Sequence, residues 1–124
     1  MADLTGDGAR EIVVVDVQGK VFVLRPDGST AWTRSFSSYM NAQPAVADFD
    51  ADGGPELAVG FVGSGNLSLL NGNGTRQWTL GAPVSSSITW MTTGQADSDD
   101  VIEVVVATDR GTVAAVDGAS GEIE

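Results

Sequence analysis

One repeat period governs what this chain can fold into. Glu11, Glu56 and Glu103 each precede an apolar run, 45 and 47 residues apart. Gly19, Gly65 and Gly111 follow at spacings of 46 and 46, and Gly28, Gly74 and Gly121 at 46 and 47. Trp32 and Trp78 are also 46 apart. Four landmarks on one period mean three copies of one supersecondary unit, each burying its apolar face against the next.

Within each copy, turn residues divide short apolar runs. The first copy reads as strands Glu11–Val17, Lys20–Leu24 and Thr30–Phe36, with turns at Gln18-Gly19 and Pro26-Asp27-Gly28. The second reads as Pro44–Phe49, Glu56–Val62, Asn66–Leu70 and Thr75–Leu80. The third reads as Ser87–Thr92, Ile102–Thr108 and Thr112–Val116. The runs Ile12-Val13-Val14-Val15 and Val104-Val105-Val106-Ala107 do not alternate, which predicts burial on both faces. β-branched clusters, 16 glycines and a turn every eight to ten residues oppose helix. Sheets stacked on sheets satisfy two-sided burial. The expected fold is all-β, three four-stranded antiparallel β-propeller blades at about 1–36, 37–82 and 83–124, forming a single partial propeller. A two-sheet sandwich is the competing architecture, but it does not require the repeat.

Composition removes several chemistries. The chain of 124 residues has no cysteine and no histidine. Disulfides, thiolate metal sites and serine–histidine catalysis are therefore excluded within it. The formal charge of −11 repels phosphate backbones and anionic membranes. No apolar run approaches the roughly 18 residues that span a bilayer. Met1-Ala2-Asp3 leads straight into polar sequence, so no signal peptide is expected in this stretch. The acidity suits a cation-binding protein, and it also suits a salt-adapted one.

An acidic loop of fixed length precedes each buried run: Asp3–Glu11, Asp48–Glu56 and Gln95–Glu103. The second fits D-x-D-x-D-G-x-x-E. Ca²⁺ takes six to eight oxygen ligands. Asp48, Asp50 and Asp52 at positions 1, 3 and 5 point alternate carboxylates at one centre. Gly53 at position 6 allows the sharp turn, with positive φ expected. The Gly54 carbonyl at position 7 faces inward, and Glu56 at position 9 closes the shell. The bland alternative is a solvated acidic turn, since Asp-Gly is common punctuation.

The strings Ala2-Asp3-Leu4-Thr5-Gly6-Asp7-Gly8 and Ala47-Asp48-Phe49-Asp50-Ala51-Asp52-Gly53 resemble FG-GAP repeats, the blades of integrin α-subunit propellers and of many bacterial surface proteins. That resemblance implies Ca²⁺ in the loop joining a blade's first two strands. It also implies roles in adhesion and in carbohydrate or protein interaction, without catalysis. Carried over by position, it assigns metal ligation to Asp48, Asp50, Asp52, Gly54 and Glu56. In the first loop it assigns Asp3, Asp7, Glu11 and the Ala9 carbonyl, with Thr5 as an uncharged oxygen. In the third it leaves Asp97, Asp99 and Glu103, because Gln95 replaces the first aspartate and Asp100 replaces the glycine. That loop is expected to bind weakly or to turn differently. Gly111–Gly121 and Gly19–Trp32 are similar to the outer hairpins of quinoprotein-type blades, read here as shared blade mechanics.

These readings give an expected function: a non-catalytic Ca²⁺-binding propeller module, extracellular or at the cell surface, meeting a protein or carbohydrate and neither nucleic acid nor membrane interior. A self-assembling structural propeller is the alternative. It is motivated by end blades expected to lack strands, since Met1-Ala2-Asp3 aligns with Val46-Ala47-Asp48 and the third outer strand stops at Glu124. A carboxylate-dependent polysaccharide-active enzyme would need acids outside the loops, such as Asp16 or Asp109, to converge. Trp32 and Trp78 are expected to pack on the adjacent blade, Trp90 to lie in the core, and the serines at 35–38 and 85–87 to connect blades. Tyr39 has no repeat partner.

Overall fold

The computed structural model describes residues 1–81 and 86–124. Ser85 of the second serine run, and the boundary between the second and third copies at 82/83, lie outside the described residues. The strands are β1 (Ile12–Val15), β2 (Lys20–Leu24), β3 (Thr30–Ser35), β4 (Ala45–Ala47), β5 (Glu56–Gly60), β6 (Leu67–Leu70), β7 (Arg76–Leu80), β8 (Ile88–Gly94), β9 (Glu103–Thr108) and β10 (Val113–Val116). They form three antiparallel sheets in sequential order: β1-β2-β3, β4-β5-β6-β7 and β8-β9-β10. The expected strands are present with ends shifted by one or two residues. Among the described residues only the central sheet has four strands. In the first sheet an isolated bridge Ala2↔Glu11 stands where the central sheet pairs Ala47 with Glu56. In the third, Val116↔Ile123 stands where the central sheet pairs Leu70 with Arg76.

The sheets stack because the central one is apolar on both faces. All of β5 and β6 is buried. Alternation then divides β5 between two cores. Leu57 and Val59 join Val21, Met40, Phe61 and Leu70 against the first sheet. Ala58 joins Phe49, Leu67, Leu69, Ile88, Met91, Val104, Val106 and Val116 against the third. Each fully buried leucine contributes roughly 1.5–3 kcal/mol by leaving water.

Two expectations about burial are corrected. In β1 the pattern alternates, with Ile12 and Val14 each 43% exposed. Val13 and Val15 face the central sheet, and among the described residues nothing covers the other side. Trp90 is not core but 55% exposed. A register shift lies between Ile88 and Trp90. Ile88 and Met91 are buried in the core shared with the second sheet. Trp90 stands across from Ala107, which pairs onward to Val113, 67% exposed. The apolar row therefore lies on the sheet's uncovered face.

Trp32 and Trp78 pack on the next blade as expected. The Trp32 indole N–H donates to the Gly72 carbonyl at 2.8 Å, and Trp78 donates to Gly118 at 2.9 Å. Each pair is 40 residues apart, so one device joins both blade interfaces.

Candidate metal centre

The three loops repeat one hydrogen-bonding plan. The position 9 glutamate is buried and accepts the amide of position 2. Leu4 N–H donates to Glu11 Oε2 at 2.8 Å, Phe49 N–H to Glu56 Oε2 at 2.9 Å, and Ala96 N–H to Glu103 Oε2. The position 5 aspartate accepts the amide of position 7, at 2.8 Å each time: Ala9 to Asp7, Gly54 to Asp52, Val101 to Asp99. The position 1 aspartate gathers the turn, taking Gly6, Asp7 and Gly8 amides on Asp3 and the Gly53 amide on Asp48. Gly8 and Gly53 at position 6 have φ of 87° and 93°, as expected. Position 4 is also left-handed: Gly6 at 74° and Ala51 at 59°. Asp100 does not share that conformation, because Ala51 is the one described non-glycine residue with positive φ. The third loop thus turns differently.

The loops bring carboxylates together in threes, with one oxygen of each within 4.8 Å of the others: Asp3, Asp7 and Glu11; Asp48, Asp50 and Glu56; Asp97, Glu103 and Glu124. Of the other expected ligands, Thr5 lies beside the first centre, its hydroxyl donating to Glu11 Oε1 at 3.4 Å. Asp52 and Asp99 are not among the converging oxygens. Each is engaged with an amide of its own loop. Ala9 and Gly54 are placed by their amides, which hold the position 5 aspartates. Gln95 turns its side-chain amide to the Asp99 carbonyl. Glu124 was not anticipated. It comes from beyond the loop, and only the pairing of the outer turn with β10 brings it there.

The electrostatics are those of a cation site. Asp48 Oδ1 and Glu103 Oε1 are buried without a hydrogen-bond partner among the described residues. A buried polar atom left unpartnered costs roughly 1–3 kcal/mol, more when charged. A hard cation would satisfy both atoms. Burial pushes the Glu56 carboxyl up to about 7, and the Asp50, Asp52 and Asp48 charges add to that, against the Phe49 amide. Glu124 is likewise raised, by desolvation and then by Asp97 and Glu103. The residues present therefore fit a divalent cation.

The loops also touch the blade interfaces. Leu4 and Phe49, at position 2, are buried. A Cβ on Gly72 would stand 2.1 Å from the Leu4 carbonyl, and one on Gly118 would stand 2.8 Å from that of Phe49. Each loop is thus pressed on the outer turn of the following blade. Of the acids outside the loops, Asp16 accepts the Lys20 amide on Oδ1 at 2.8 Å, and Asp109 donates its backbone amide to the Ser87 carbonyl at 3.2 Å.

Residues 3–59 match the FG-GAP-like repeat model. The Lambda-carrageenase of Pseudoalteromonas carrageenovora is 28% identical over 74 residues, 60% of this chain and 8% of that protein's length. Among solved structures, BamB from Moraxella catarrhalis superposes with a TM-score of 0.69 at 22% identity, over 91% of this chain and 30% of that one. BBS1N, solved in complex with ARL6DN, gives 0.71 at 17% identity, over 99% and 36%. At such identities these likenesses show the blade fold alone. Residues 3–59 are thus similar to the FG-GAP-like repeat, and the three stacked sheets have the blade fold of a β-propeller module.

Proposed function

We propose that the chain is a Ca²⁺-stabilised, non-catalytic β-propeller binding module that works outside the cell or at its surface. The observation that carries this reading is the pair of buried, unpartnered carboxylate oxygens, Asp48 Oδ1 and Glu103 Oε1, each in a loop where three carboxylates converge. Asp3, Asp7 and Glu11 would hold one ion, and Asp48, Asp50 and Glu56 a second. A bound ion supplies positive charge to these clusters. Because the loops press on the Gly72 and Gly118 turns, ordering a loop stiffens the joint between blades. Extracellular calcium sites commonly have Kd near 10⁻⁴–10⁻³ M. At ten times Kd, one site stabilises the fold by about 1.4 kcal/mol. Calcium outside cells suits such affinities, which together with the family resemblance supports the extracellular setting. The likeness to part of the Lambda-carrageenases supports a polysaccharide as the ligand class to test first, with the protein alternative second.

Calorimetric titration of chelator-stripped protein with Ca²⁺ tests the reading. Two or more binding events are expected. Absence of heat at millimolar Ca²⁺ would leave the loops as solvated turns.

Self-association is a second reading, favoured by one observation. Ile12, Val14 and Val17 on the first blade and Trp90 and Val113 on the third are exposed. The first set lines a groove of about 530 Å³ with Met40, Asn41 and Gln43. Exposed sheet faces of this kind take another blade, from a longer chain or from a second copy.

A further inference from the structure

The third loop lost its position 1 carboxylate at Gln95, yet three carboxylates still converge there because Glu124 joins Asp97 and Glu103. Glu124 belongs to the outer turn of the blade, three residues past Gly121, and pairs back through its amide to the Ala115 carbonyl at 3.1 Å. The equivalent residue in the second blade is Gln77, three past Gly74. Its side chain also reaches a loop, with Gln77 Nε2 2.5 Å from Asp50 Oδ2. Asp50 and Asp97 both occupy position 3. In the first blade that outer residue is Ala31, and position 3 is Thr5. In the second and third blades the outer residue therefore reaches position 3 of the blade's own loop.

We infer that Glu124 is a cation ligand of the third blade, supplied from the outer edge of the sheet in place of the carboxylate missing at Gln95. The inference rests on the proposal that these loops hold Ca²⁺. It has an observation of its own besides the acidic cluster. Glu103 is fully buried, and its Oε1 has no hydrogen-bond partner among the described residues although Oε2 is held by the Ala96 amide. A buried, fixed oxygen in reach of Asp97 and Glu124 is half of a coordination shell. Gln95, whose Nε2 donates to the Asp99 carbonyl, brings no carboxylate to it. The same frame makes Gln77 a neutral version of the position, so the outer residue sets the charge of each site without altering the loop.

The test is a Ca²⁺ titration of the chain followed by amide NMR, reading Val101 and Glu103 for the third loop and Gly53 and Gly8 for the other two. In the unmodified protein all three loops are expected to respond. Glu124→Ala is expected to weaken the third-loop response at least tenfold in Ca²⁺ concentration and to leave Gly53 and Gly8 unchanged. Glu124 is exposed, so the variant keeps the core. Adding Gln95→Asp to Glu124→Ala is expected to restore the response, which a merely structural role for Glu124 would not allow. If the third loop responds equally with and without Glu124, or never responds while the others do, the inference falls and the calcium reading stands. If no loop responds in the unmodified protein, both fall.

Discussion

At the scale of single residues, the loops hold more negative charge than their own hydrogen bonds satisfy. Asp48 shows the consequence most sharply, since Oδ2 accepts the Gly53 amide at 3.0 Å while Oδ1 is buried and unpartnered. Asp48→Asn keeps an acceptor for that amide and removes the charge. In chelator it is expected to be neutral or to stabilise by about 1 kcal/mol, and in Ca²⁺ to lose most of the stabilisation the ion gives. Paired thermal melts check both signs. Glu56 gives a pH signature. With its carboxyl raised to about 7 by burial and then by the neighbouring aspartates, the folded state keeps a proton that the unfolded chain releases near 4.5. The calcium-free protein is thus expected to lose stability as pH rises from about 4.5 to about 7, and to be more stable below that window than above it. Glu56→Gln should flatten that part of the profile. With Ca²⁺ present, protons compete for the same carboxylate, so apparent affinity should fall as pH drops below 7.

At the scale of elements, the unit that matters is the joint between a loop and the next blade's outer turn. Trp32 lies over Gly74 and bonds the Gly72 carbonyl, and Trp78 repeats this with Gly121 and Gly118. The backbone at Gly72 approaches the Leu4 carbonyl so closely that a methyl group would sit 2.1 Å from it. Backbone cannot swing aside as a side chain can. Gly72→Ala is therefore expected to destabilise the protein by about 2 kcal/mol or more, in the range of severe packing changes. It should also weaken Ca²⁺ binding at the first loop, because Leu4 follows Asp3 and its amide fixes Glu11. Denaturant unfolding and a Ca²⁺ titration of the same variant separate the two effects. Trp32→Phe keeps an aromatic ring at this place but deletes the 2.8 Å hydrogen bond and part of the indole's packing, so a loss of about 1 kcal/mol or more is expected, read by denaturant unfolding.

At the scale of the whole molecule, the central sheet is covered on both faces and each outer sheet on one. The uncovered faces carry Ile12 and Val14 on one side and the Trp90–Val113 row on the other. Substituting lysine at Val14 and Val113 places charge on both faces without touching either core. If copies of the chain stack through these faces, the unmodified protein is expected to show a mass that rises with concentration, and the double variant a constant one. Sedimentation equilibrium distinguishes them, and a concentration-independent monomer in both would remove self-assembly as a function.

The sequence by itself determined the features whose determinants are local. The period placed all ten strands, because each hairpin is set by its own turn glycines and β-branched runs within a few residues. It also placed the acidic loops, because nine consecutive residues contain both the carboxylates and the turn that aims them. Only the tertiary structure decided what crosses the blade. Gln77 meets Asp50 from 27 residues away, and Trp32 meets Gly72 from 40. The repeat told that Trp32 packs on the adjacent blade, but no local pattern names the partner atoms of either meeting, since they depend on how sheets pair and stack. The same limit explains Ile12, Val14 and Trp90. An unbroken apolar run states that both faces of a strand can be buried, and only the placement of neighbouring sheets determines whether both are.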